Sequence, residues 1–83
     1  MSNYTVTKMI LLNTIAKVKD YVDITLKSKA EVDLQRGRYI VNGKSIMGVF
    51  SLDTSKPIRM QVCGEVGDVN SLLEQLEPFF VKE

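Results

Sequence analysis

Between Ile58 and Cys63 apolar and polar residues alternate without a break, with Ile58, Met60 and Val62 on one parity and Arg59, Gln61 and Cys63 on the other. Side chains of an extended strand point alternately to opposite faces, so this segment reads as a strand with Ile58, Met60 and Val62 on the core side. The same period governs Glu31-Val32-Asp33-Leu34-Gln35. Arg36-Gly37 then offers a turn, Arg38 to Val41 a short return strand, and Asn42-Gly43 another turn, which together predict a hairpin. Tyr4 to Leu12 begins as a fourth strand, because its threonine, tyrosine, valine and isoleucine suit a pleated, half-buried surface.

A sheet with one apolar face needs a covering layer. From Asn13 the period lengthens: Ile15, Val18, Val22 and Leu26 recur at helical spacing, with Lys17, Lys19, Asp20 and Asp23 elsewhere around the wheel. Asn13 or Thr14 can cap this helix, since either side-chain oxygen accepts a free first-turn amide. Ser45 can cap a short second helix running through Ile46, Met47, Val49 and Phe50 to about Leu52, followed by a loop over Asp53 to Pro57. A last helix is expected to start with Asp68 as cap and to carry Val69, Leu72, Leu73, Leu76 and Phe80 on one stripe. Pro78 disfavours helical geometry at Glu77, so that helix should fray or kink there. The order strand, helix, strand, strand, helix, strand, helix predicts an α+β sandwich: a four-stranded antiparallel sheet with three helices on one face and water on the other.

At 83 residues, 45% apolar and 25% charged, the chain builds one core, so a single domain over 1–83 is expected. Eleven basic and ten acidic residues leave a net charge of +1, too little for a field that would attract nucleic acid or a membrane surface. The longest strictly apolar run, Met9 to Leu12, is too short to cross a bilayer or to form a secretory core, which points to the cytoplasm. One cysteine, Cys63, cannot form an internal disulfide, and without any histidine a transition-metal site would need carboxylates alone. Neither a metal nor a cofactor is expected.

The segment Lys44-Ser45-Ile46-Met47-Gly48-Val49-Phe50-Ser51-Leu52 resembles the regulatory-serine region of the histidine-containing phosphocarrier protein (HPr) of bacterial sugar-uptake systems. Chain length, element order, the Ala30-Glu31-Val32-Asp33-Leu34 strand and the final leucine-rich helix extend the similarity over roughly residues 30–80. The resemblance implies the HPr-like open-faced β-sandwich. At the start the chain departs from the family. There the family carries, between strand one and helix one, a glycine, the phosphorylated histidine and then an arginine and a proline; the matching stretch Met9 to Lys17 has none of them. Phosphoryl relay needs a nucleophile that accepts the group and gives it up readily, as an imidazole does near neutral pH. Thr14 would form a stable ester, and Cys63, although a thiophosphate is labile, lies on a strand far from that loop.

Ser45 is fully accounted for as a helix cap contributing ~1 kcal/mol. The resemblance adds a role, because the family's serine kinase acts on the serine at this place in the motif. Ile46, Met47, Val49 and Phe50 are too dense an apolar cluster for a helix with one buried side, so part of it must show. From the residues alone, Ile46 and Val49 or Phe50 read as ordinary core packing; the resemblance marks this surface as the partner-binding one, with Ile46, Met47 and Phe50 as its residues and Met47 the first choice for an exposed anchor. Met9 to Leu12 reads as a continuation of strand one buried under the first helix. Lys17, Lys19, Lys27 and Lys29 read as a solvated face, although the resemblance makes that helix a recognition surface for acidic partners.

Two readings follow. The first is a non-enzymatic regulatory or adaptor domain, without a catalytic residue, that works with proteins of sugar phosphotransferase or catabolite control and with a serine kinase. The alternative is a phosphotransferase component carrying phosphate on Thr14 or Cys63, or an interaction module with no phosphorylation. Dimerisation is compatible with either.

Overall fold

The computed structural model describes residues 3–81. Its strands are β1 (Tyr4–Ile10), β2 (Glu31–Arg36), β3 (Tyr39–Asn42) and β4 (Ile58–Gly64), and its helices are α1 (Ile15–Leu26), α2 (Ile46–Phe50) and α3 (Val66–Leu76). All pairings in the sheet are antiparallel, in the order β1-β4-β2-β3. The buried parity of β4 and β2, Ile58, Met60, Val62, Val32 and Leu34, meets the helices, whereas Arg59, Gln61, Glu31, Asp33 and Gln35 are exposed on the open face. This is the α+β open-faced sandwich anticipated from the periodicities.

The turn between β2 and β3 is Gly37-Arg38, one position later than the sequence suggested. Gly37 has φ +60°, a left-handed conformation that glycine adopts without steric cost, and Arg38 does not share it. A left-handed first residue followed by an ordinary one matches the type II′ loop favoured in tight hairpins.

Along α1 the buried residues are Val18, Tyr21, Val22 and Thr25. Ile15 and Leu26, placed on the apolar stripe by spacing alone, are exposed at 65% and 59%. Helical period allows two overlapping stripes here, and the one containing the larger Tyr21 ring wins because it packs edge-on against Phe79, with centroids 6.0 Å apart. In α3, Val69, Leu72 and Leu76 are buried, and Leu73 packs half-buried beside them. That helix starts at Val66, earlier than expected, with Glu65 at the cap position and no side-chain cap bond. Asp68 therefore lies in the first turn, where its charge meets the positive end of the helix dipole. The helix ends at Leu76 and a single 3₁₀ turn, Glu77–Phe79, contains Pro78, as the proline required.

The residues after that turn close along β1. Ile10 bridges Phe80, the Leu11 amide donates to the Phe79 carbonyl, and the Val81 amide donates to the Met9 carbonyl, both at 2.9 Å. Ile10 and Leu12 are fully buried, but Met9 is exposed, so only part of the Met9 to Leu12 run enters the core. No helix among the described residues is long and apolar enough to cross a membrane.

Candidate functional site

The approach to α2 is built from short polar residues that bond locally. The Asn42 carboxamide oxygen accepts from the Lys44 amide at 2.8 Å, and the Asn42 carbonyl accepts from the Ser45 amide at 3.1 Å. Such side-chain-to-backbone turns are what asparagine does best, and this one reverses the chain after β3. Ser45 is extended at φ −100°, ψ 115°, and its Oγ accepts from the Gly48 amide at 3.2 Å, which makes it the cap of α2. At the far end the Ser51 hydroxyl donates to the Gly48 carbonyl at 2.6 Å, and the helix ends at Phe50, two residues before the expected limit.

Gly48 lets this helix lie close to β3: a Cβ there would sit 3.4 Å from the Asn42 carbonyl oxygen and from Val41 Cβ. Val49 is the one fully buried member of the apolar cluster. Ile46, Met47 and Phe50 remain exposed at 37%, 76% and 43%, which puts three large apolar side chains around a half-buried serine.

The Lys44 side chain is tethered to a backbone carbonyl. Its Nζ donates to the Ser28 carbonyl at 2.7 Å, tying the approach of α2 to the exit of α1. Thr25 reinforces that tie, since its buried hydroxyl lies 3.3 Å from the Gly43 carbonyl and 3.0 Å from that of Val22.

At the entrance to α1 the two candidate caps divide the work. Thr14 Oγ1 accepts from the Lys17 amide at 3.1 Å, and the Asn13 side-chain oxygen accepts from Lys17 Nζ at the same distance. Lys17, Lys19, Lys27 and Lys29 are exposed. Cys63 is half-buried and free, between Thr5 and Glu31 on the parity of the open face, so the sheet separates it from the helices that carry Thr14 and Ser45.

No protein-family model and no curated protein matches the sequence. Solved structures do. The phosphocarrier protein HPr from Bacillus anthracis str. Ames matches with a TM-score of 0.73 and 22% identity over 98% of this chain and 100% of that chain. HPr-C-His from Thermoanaerobacter tengcongensis matches with a TM-score of 0.64 and 23% identity over 94% of this chain and 89% of that one. The chain has the HPr fold.

Within the HPr fold the polar residues of the β1 to α1 connection are Asn13 and Thr14, and the chain contains no histidine. Thr14 is the hydroxyl of that connection, and it is occupied as a cap acceptor. Sequence reasoning missed the exposed Tyr39 and Ile40 on edge strand β3 and the packing demand at Gly43. Both depend on which strand lies at the edge and which helix crosses the turn, and local patterning carries no signal for either.

Proposed function

We propose that this chain is a non-enzymatic, cytoplasmic regulatory or adaptor protein with the HPr fold, phosphorylated on Ser45 and docking proteins of sugar phosphotransferase or catabolite control through Ile46, Met47 and Phe50. It is not a histidine phosphocarrier, because it has no histidine to receive the group. The observation that carries the reading is the capping serine on a five-residue helix whose Ile46, Met47 and Phe50 are all exposed. Large apolar side chains left in water on a short helix mark a contact surface, and methionine adapts its shape to a partner at little conformational cost.

Phosphate on Ser45 adds about −1.5 to −2 charges beside the Gly48 amide, at the positive end of α2. The fold tolerates this, since the site is at the surface edge and the cap geometry already presents an N–H group to an oxygen. A partner then recognises the charge with basic side chains and the flanking Ile46 and Met47 with an apolar groove, so that affinity depends on both. Incubation with an HPr serine kinase and ATP, followed by intact-mass measurement, is expected to add one phosphate to the wild type and none to Ser45→Ala. No added mass under conditions that modify an authentic HPr overturns the reading.

A further inference from the structure

We infer that β3 is a self-association edge: two copies pair antiparallel through Tyr39–Val41, about a twofold axis at Ile40, and join their sheets into one. The order β1-β4-β2-β3 leaves β1 and β3 as edges. The end of β1 is covered by the chain's own Phe79–Val81 segment, through the Leu11 and Val81 amides. Among the described residues no strand pairs with the outer side of β3, and since the Ser45 amide takes the outward Asn42 carbonyl, the open stretch is the one around Ile40.

The hairpin geometry says which groups that side presents. In a two-residue loop the flanking pair, here Arg36 and Tyr39, exchanges both hydrogen bonds, and bonded and unbonded pairs then alternate. Leu34 and Val41 form the next bonded pair, and the Gly43 amide continues the parity by donating to the Val32 carbonyl at 2.8 Å. Ile40, opposite Gln35, therefore directs its N–H and C=O away from β2. An antiparallel partner centred on Ile40 satisfies both groups with its own Ile40.

Edge strands are ordinarily protected by brevity, a charge, a proline or a bulge; β3 is short at four residues, but Tyr-Ile-Val-Asn carries neither charge nor proline. Instead Tyr39 and Ile40 are exposed at 73% and 66%, one on each face of the sheet. Pairing about Ile40 sets the two Ile40 side chains together on the open face and lays each Tyr39 opposite the partner's half-buried Val41 on the helix side.

Charge complementarity selects a second copy as the occupant. The strand is preceded by Arg38, and its last residue, Asn42, lies beside the exposed Asp33 in the β2 register. An antiparallel, Ile40-centred register places Arg38 of one copy opposite Asn42 of the other, within two strand spacings, roughly 10 Å, of Asp33. An extended arginine side chain crosses much of that distance, and the twofold axis makes the contact twice.

The test is sedimentation equilibrium of the full chain from micromolar to millimolar concentration. A reversible dimer is expected. Ile40→Lys, at an exposed position that the monomer fold does not need, should raise the dissociation constant about tenfold or more by placing two like charges at the axis. Asp33→Lys should weaken association, and Asp33→Lys combined with Arg38→Glu should restore it, while Met47→Asp leaves it unchanged. A monomer throughout the range overturns the inference, including one that binds an added extended peptide along β3. So does a dimer that Ile40→Lys leaves intact and Met47→Asp abolishes, which would place the contact on α2.

Discussion

The Thr25 hydroxyl on α1 donates into the turn before α2, 3.3 Å from the Gly43 carbonyl oxygen. Together with the Lys44 to Ser28 bond it fixes where the approach to Ser45 runs, so the placement of the candidate site depends on a residue in a different helix. Thr25→Val keeps the shape but leaves the buried Gly43 without that donor, and the cost should be ~1–3 kcal/mol in chemical denaturation. Thr25→Ser, which keeps the hydroxyl, should cost less than Thr25→Val. A near-neutral Thr25→Val with a costly Thr25→Ser would show that the methyl group matters and the bond does not.

Gly43 is required for space. A Cβ built there would lie 2.5 Å from Val32 Cγ1 and 3.0 Å from the Tyr21 hydroxyl oxygen, and Val32 is held on an interior strand of the sheet. Gly43→Ala should destabilise by ~1–3 kcal/mol through overpacking, read as a lowered denaturation midpoint. A neutral substitution would mean that the turn can move away from β2.

The Tyr21 hydroxyl is buried and, among the described residues, has no hydrogen-bond partner. Removing an unsatisfied hydroxyl while keeping the ring relieves a desolvation cost, so Tyr21→Phe should be neutral or stabilising by ~1 kcal/mol. Burial also pushes the Tyr21 phenol well above its ordinary range. The folded state thus holds this proton more tightly than the unfolded chain does, and the wild type loses stability as pH rises above the unfolded tyrosine value of about 10. Comparing alkaline denaturation of the two proteins isolates the effect of this phenol: Tyr21→Phe should show a shallower loss.

Leu76 is fully buried, whereas Leu73, one turn earlier, is only half-buried. Leu76→Ala should therefore cost ~2–5 kcal/mol and Leu73→Ala clearly less, measured as unfolding free energies. The reverse order would mean that α3 is rotated about its axis.

For the proposed function, phosphoenolpyruvate and the first phosphotransferase enzyme should leave the protein unlabelled, since neither a capping threonine nor an open-face cysteine replaces an imidazole relay. Acid-labile phosphate at stoichiometric yield would contradict this. Ser45→Ala should cost ~1 kcal/mol as a lost cap. Met47→Asp should keep both fold and kinase modification while losing partner binding, because Met47 is the most exposed apolar side chain of α2.

The alternation over Ile58 to Cys63 determined β4 and its buried face, because a period of two leaves a strand no choice about which residues share a side. Ser45 as a cap was equally legible, since the oxygen and the amide it serves lie three residues apart. The dense run Ile46 to Phe50 was different: local pattern required some of it to show, but only the approach of α2 to β3 through Gly48 selected Val49 as the buried member. The same holds on α1, where helical period fitted Ile15 and Leu26 as well as Tyr21 and Thr25, and contacts with Phe79 and Gly43, distant in sequence, decided between them. The sequence by itself determined the elements, the Thr14 and Ser45 caps and the absence of a histidine, because each is settled within a few residues, whereas the start of α3, expected at Asp68, was not. Strand order, the closure of Phe80 onto β1 and the exposed edge at Ile40 were decided only by the tertiary structure, because they arise from segments that meet across the chain.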